Sequence, residues 1–292
     1  MHSWLASSLV RHYPSSHAVS RETLQVEMAR GAQASFQVAF RIEDDTRVIT
    51  AAAHAPGGLH VRVRRVGYVP VPHFNVHAPL HEIDGAGHIP GYVPDPLFPD
   101  AAIHAGPYET HAFWITVHAP AALAPGDYPV TVTLACEGVT EATHTAVVRV
   151  RAAVLPARRD FPVTHWFYTD ALCHWYGTEV WREDFWPIVE PYVADVVAHG
   201  QDMLYVHVFT QPTDGVKRPT QLLKVTHDGD NYRFDWTLVR RWIDMAKRLG
   251  VTYFEWAHLF TQWGAKYALR IYEGHGETGR LLWDPETPAV SR

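Results

Sequence analysis

Up to about residue 155 the chain alternates apolar and polar positions. In LHVRVRRV, Leu59, Val61 and Val63 alternate with His60, Arg62 and Arg64. In DYPVTVTL, Tyr128, Val130, Val132 and Leu134 face one way while Thr131 and Thr133 face the other. ASFQVAFRI, HAFWITVHA and THTAVVRVRA read similarly, with Gly, Pro and Asp clusters between them. Strict alternation predicts strands with one buried and one solvated face. Several such runs without a helical pattern predict an antiparallel β-sandwich. HIPGYVPDPLFPD, residues 88–100, is the exception: its four prolines cannot donate to a ladder, which predicts a long ordered loop.

After the linker AAVLPARRD, residues 152–160, the period changes. FPVTHWFYTD reads as a short buried strand. Phe185, Ile188, Val189, Tyr192, Val193, Val196 and Val197 then trace one helical stripe, with Gly200 placed to cap it. MLYVHVFT predicts a second strand, and QLLKVTHDGDNYRFD a hairpin turning at Asp228–Gly229. Asp235 is placed to cap a second helix, WTLVRRWIDMAKRL, closed by Gly250; VTYFEWAHL is the third strand. Strand, helix, strand, helix, strand with near-continuous apolar strands predicts βαβ units and a parallel sheet. RIYEGHGETGRLLWD reads as a further hairpin. The expected organisation is a β-sandwich over 1–155 and an α/β domain over 156–292.

With 292 residues the chain is long for a single core, in keeping with two domains. A net charge of −6 argues against a nucleic-acid partner, which needs clustered Lys and Arg to replace phosphate counterions. No apolar run approaches the ~18–20 residues of a membrane span. MHSWLASSLVRHYPSS has no Lys or Arg before its short, serine-broken apolar stretch, so no signal peptide is read and the expected location is cytoplasmic. Cys136 and Cys173 fall in different halves and are expected as free thiols. Among 20 histidines, His73, His77 and His81 have four-residue spacing, but Pro70, Pro72 and Pro79 exclude the helix that would align them as metal ligands. No metal or other cofactor is expected. Nine of the eleven tryptophans lie between Trp166 and Trp283, and those near strand ends could stack on a sugar ring.

THWFYTD, HVFTQP and EWAHLFTQWGAK resemble the catalytic domain of glycoside hydrolase family 123, known for β-N-acetylgalactosaminidases. GYVP at 67–70 and GYVPDPLFPD at 91–100 resemble the N-terminal β-sandwich of such proteins. The resemblance implies a β-sandwich followed by a (β/α)₈ TIM-type barrel. A full barrel takes about 250 residues, so residues 156–292 are expected to hold its first part, truncated after about three strands. The resemblance also implies substrate-assisted hydrolysis of β-linked N-acetylhexosamine. In that scheme the sugar's 2-acetamido group attacks its own anomeric carbon, an Asp orients the acetamide, and the adjacent Glu protonates the leaving oxygen.

No Asp is followed directly by Glu in this sequence; Glu43–Asp44 and Glu183–Asp184 have the reverse order. No catalytic residue is therefore assigned, the pair is expected beyond Arg292, and the chain alone is expected to be inactive. Barrel sites form at the C-terminal ends of strands. That places candidate sugar contacts at Asp170, Trp175 and Tyr176 after the first strand, at Phe209 and Gln211 (with Thr210) after the second, and at His258, Thr261, Gln262 and Trp263 after the third. Glu255 lies within a strand, and Asp170 with Glu255 would be the carboxylate pair of an enzyme complete in itself. The competing reading is a non-catalytic carbohydrate-binding module. The expected partner is a carbohydrate, with no nucleic acid and no membrane; the sequence sets no oligomeric state.

Overall fold

The structure is a computed structural model. It describes the chain except residues 21–22, 75–76, 157–159, 167, 211–217, 259–268, 276–280 and 284–292. Two compact units divide it, Met1–Ala157 and Arg158–Arg292. The sheets are mostly antiparallel and the helices few.

The described residues of the first unit form ten strands: β1 (His2–Ser7), β2 (Leu24–Arg30), β3 (Gln33–Arg41), β4 (Arg47–His54), β5 (His60–Val71), β6 (Gly91–Phe98), β7 (Ala102–Ala105), β8 (Thr110–His118), β9 (Gly126–Cys136) and β10 (Val139–Val154). They make two five-stranded sheets, ordered β1-β3-β8-β5-β6 and β2-β10-β9-β4-β7. The alternation read in β9 holds: Val130, Val132 and Leu134 are fully buried, each worth roughly 1.5–3 kcal/mol. They join a core with Phe36, Val38 and Phe40 of β3 and Phe113, Ile115 and Val117 of β8.

Three features depart from the sequence reading. β2 and β10 pair in parallel, so the sandwich is not wholly antiparallel. Residues 91–98, expected as a loop, are strand β6. They can be, because β6 is an edge that pairs only with β5, and proline is tolerated where one side of a strand has no neighbour. Gly67 on β5 makes room for it, since a Cβ there would lie 2.3 Å from the Phe98 ring. Finally, the first sheet is buried on both faces. Trp4, Ala6, Ala39, Val66 and Ala112 form a second small core on its outer side. The chain between β1 and β2 lies over this face: Gln37 Nε2 donates to the carbonyls of Ser7 and Val10, and the Tyr68 hydroxyl donates to that of His12.

The second unit holds helices α1 (Thr169–Tyr176), α2 (Trp186–Ala198) and α3 (Thr237–Arg248). Its strands are β11 (Met203–Tyr205), β12 (Lys224–Asp228), β13 (Asn231–Asp235), β14 (Tyr253–Glu255), β15 (Ile271–Tyr272) and β16 (Leu281–Trp283). β12 and β13 form the expected hairpin, and β15 pairs with β16. Asp235, expected to cap α3, instead ends β13; Trp236 takes the cap position, and Asp235 accepts from the backbone N–H of Thr237 at 2.9 Å. β11 and β14 pair in parallel. Val189 and Val193 of α2, Val239, Trp242 and Met245 of α3 and Leu204 of β11 share one core.

Residues 161–166, expected as the first strand, have no ladder of their own. Isolated bonds hold them: the Val163 carbonyl accepts from the backbone N–H of Asp202 and of Met203, Asp202 Oδ1 accepts from Val163 N at 2.7 Å, and Gln201 Oε1 from His165 N at 3.2 Å. Cys136 and Cys173 are free thiols. Among the described residues no helix is long and apolar enough to cross a membrane, and no cluster of His, Cys, Asp or Glu is arranged to hold a metal.

Candidate functional site

The register of the parallel pair organises the site. Tyr205 stands opposite Glu255, so both side chains leave the sheet on the same side. Their neighbours Leu204 and Phe254 point the other way, into the core with the helices. The face that carries Tyr205 and Glu255 thus collects polar-tipped side chains at the C-terminal ends of two parallel strands, where ligands bind in α/β sheets.

Glu255 is the centre of this group. Its Oε2 accepts from Trp166 Nε1 at 2.8 Å, and its Oε1 lies 3.0 Å from His258 Nε2. The Glu255 side chain keeps 19% exposure and His258 38%, so both reach solvent. The Trp166 ring lies 5.2 Å from His258 and 5.6 Å from Tyr205. Tyr205 is buried, and burial first, then the Glu255 charge, raises its pKa above the ordinary phenol value.

His207 backs this face. It sits among Trp181, Tyr205 and Trp242, with ring separations of 5.7, 5.3 and 5.3 Å. Burial lowers its pKa to about 3, so it is a neutral imidazole, 3.3 Å from Thr220 Oγ1 through Nδ1. Trp242 Nε1 donates to the Tyr205 carbonyl at 3.1 Å and fixes the end of β11.

Of the residues singled out in the sequence, Glu255 and His258 belong to this cluster. Asp170 does not end a strand; it lies on the first turn of α1, 4% exposed, and its charge bears on the Cys173 thiol. The helix starts this early because TDALCHWY has no breaker before Gly177, which caps it at φ +65°. Trp175 is 80% exposed on α1, and the Tyr176 hydroxyl lies 3.0 Å from that of Tyr192 on α2. Phe209 packs against the core, and Thr210 Oγ1 accepts from Thr220 N at 2.8 Å. Gln211, Thr261, Gln262 and Trp263 lie outside the described residues. Sequence reasoning did not single out Trp166, Tyr205 or His207. The available signal was parity: Tyr205 and His207 alternate with Leu204, Val206 and Val208. A separate groove of about 440 Å³, lined by Trp186, Arg240, Arg241 and Arg248 among others, shares no residue with the cluster.

Residues 166–290 match the model of the glycoside hydrolase 123 catalytic domain. Over this segment the chain is similar to glycoside hydrolase family 123. Trp166 opens the matched stretch, and Tyr205, Glu255 and His258 all lie within it. Among solved structures, the chain is similar to a family 123 glycoside hydrolase from Clostridium perfringens, described for glycolipid glycan hydrolysis. The TM-score is 0.66 at 12% identity, over 86% of this chain and 45% of that one. At such identity the likeness is one of fold. The chain spans a little under half the length of that hydrolase. The N-terminal domain of PorA (10% identity, TM-score 0.26, 49% of this chain and 99% of that one) carries no argument at that score. Nor does a non-cellulosomal cohesin from Archaeoglobus fulgidus (10% identity, TM-score 0.25, 52% and 91%). No curated protein sequence matches the chain.

Proposed function

We propose that the Trp166–Glu255–His258 cluster is the sugar-holding part of a family 123 glycosidase site. The complete protein would act on β-linked N-acetylhexosamine, in particular N-acetylgalactosamine, by substrate-assisted hydrolysis. The observation that carries this is the Glu255 carboxylate, held by an indole N–H on one oxygen and by an imidazole nitrogen on the other. A carboxylate so anchored is a preorganised acceptor for sugar hydroxyls, and Trp166 beside it offers an aromatic face. In this reading β11 and β14, with α2 and α3 behind them, are the beginning of a (β/α)₈ barrel. The adjacent Asp-Glu pair that would orient the acetamide and protonate the leaving oxygen has no counterpart in the sequence. The alternative reading is a carbohydrate-binding module that holds a sugar without cutting it.

Both readings require sugar binding, and one experiment tests it. Ligand-observed NMR of the 292-residue chain with methyl N-acetyl-β-galactosaminide should show saturation transfer that Glu255→Ala abolishes. Equal transfer in wild type and variant would remove Glu255 from the site. Turnover of an aryl β-N-acetylgalactosaminide separates the readings. None is expected from this chain, and turnover lost in Glu255→Gln would instead make Glu255 catalytic.

A further inference from the structure

Carbohydrate binding at this cluster leaves one group on the same face without work. Tyr205 is 2% exposed, and its hydroxyl has no hydrogen-bond partner among the described residues. Buried hydroxyls are normally paired, because burial without a partner forfeits the bonds they made with water. This one has not been left in an apolar interior. Its strand register sets it beside Glu255, and its ring lies 5.6 Å from Trp166 and 6.3 Å from His258. The phenol stays protonated, since burial and the neighbouring carboxylate both oppose its ionisation, and so it remains a donor. Glu255 also keeps capacity. Each of its oxygens takes one bond from the protein, while an ionised carboxylate offers about four lone-pair positions.

We propose that Tyr205 is a specificity-determining residue of this site: a single ligand hydroxyl accepts from the Tyr205 phenol and donates to Glu255. The proposal rests on the carbohydrate reading above. Its chemical content is that the site selects for a hydroxyl rather than an ether oxygen or a methylene at one ring position. An ether oxygen could accept from Tyr205 but could not donate to Glu255. A methylene would leave the buried Tyr205 hydroxyl unpaired, the arrangement by which sites reject analogues most strongly.

The test uses the 292-residue chain and methyl N-acetyl-β-galactosaminide as the probe, with NMR titration and thermal melting of wild type, Tyr205→Phe, Glu255→Gln and the double variant. Tyr205→Phe should bind about tenfold more weakly, the worth of one such bond. Its melting temperature without sugar should be unchanged or higher, because an unpaired hydroxyl contributes nothing to the free protein. The double variant should bind no worse than Glu255→Gln alone, since both groups act through one ligand hydroxyl. Wild-type affinity in Tyr205→Phe overturns the proposal while leaving the carbohydrate reading standing. So does a lowered melting temperature in that variant, which would show that the hydroxyl serves the fold. Failure of the wild type to bind the sugar overturns the carbohydrate reading itself, and this proposal with it.

Discussion

The indole of Trp166 and the carboxylate of Glu255 meet at 2.8 Å, joining positions 89 residues apart in the chain. The bond ties the segment before α1 to the end of β14, and it fixes one oxygen of the carboxylate that the β11–β14 register places beside Tyr205. A hydrogen bond to a charged group is worth about 1.5–3 kcal/mol net, and partial exposure of Glu255 sets the expectation toward the lower end. Trp166→Phe keeps the ring and removes the donor. It should lower the stability of the second unit by about 1–2 kcal/mol in urea unfolding, and it should loosen sugar binding. An unchanged midpoint would show that the bond contributes no stability.

His207 makes the second unit sensitive to acid. Its folded-state pKa of about 3 lies below its ordinary 6.5, so between those values the unfolded chain binds a proton that the native chain does not. Stability is therefore full near pH 7 and falls as pH drops from about 6.5 toward 3, by up to about 1.4 kcal/mol per pH unit. His12 adds the same sign in the first unit, where burial lowers its pKa to about 4. His207→Leu should flatten the pH dependence of the second unit's urea midpoint over this window. A slope identical to wild type would exclude His207 as its source.

Gln221 is fully buried and acts as backbone. Its Nε2 donates to the carbonyls of Leu223, Tyr272 and Gly274 at 2.7, 2.9 and 3.2 Å, and its Oε1 accepts from Tyr272 N at 3.0 Å. Removing it leaves several buried polar groups unpaired, at about 1–3 kcal/mol each. Gln221→Ala should destabilise the second unit by about 3 kcal/mol or more. It should also speed hydrogen exchange at the Tyr272 amide. Retained protection there would mean that the amide is held by something else.

Gly85 controls the cover over the outer face of the first sheet. Its φ is +77°, and a Cβ would fall 1.7 Å from the Tyr13 hydroxyl. Tyr13 stacks on His88 at 3.9 Å, and Arg11 pairs with Asp84. Gly85→Ala should displace Tyr13 and expose the chain around Arg11 to trypsin, while the sandwich core far from it stays folded. Cleavage no faster than in wild type would show that the cover accommodates the methyl.

The two units should also separate. Residues 1–157 expressed alone should give a folded all-β domain by circular dichroism, because the large core of the first unit is made of its own strands. A disordered spectrum would place part of that core's support in the second unit.

What the sequence determined by itself was local. The alternation of Val130, Val132 and Leu134 with Thr131 and Thr133 specifies a half-buried strand whatever its partner. The spacing of Phe185, Val189 and Val193 specifies one face of a helix, and Asp228–Gly229 specifies a hairpin. In each case the residues that decide the outcome are neighbours. The tertiary structure decided what depends on partners far along the chain. The prolines of 91–98 exclude a central strand but not an edge, and only the sheet order makes β6 an edge. Residues 161–166 are apolar enough for a strand, yet they are held without a ladder, by backbone bonds to the Val163 carbonyl and by the side chains of Asp202 and Gln201. Asp170 was legible as a carboxylate but not as a buried helical one. The site itself arises from register: Tyr205 and Glu255 face the same way because β11 and β14 pair in parallel at those positions. A shift of one residue would send either side chain to the opposite face, and nothing within either strand alone specifies that alignment.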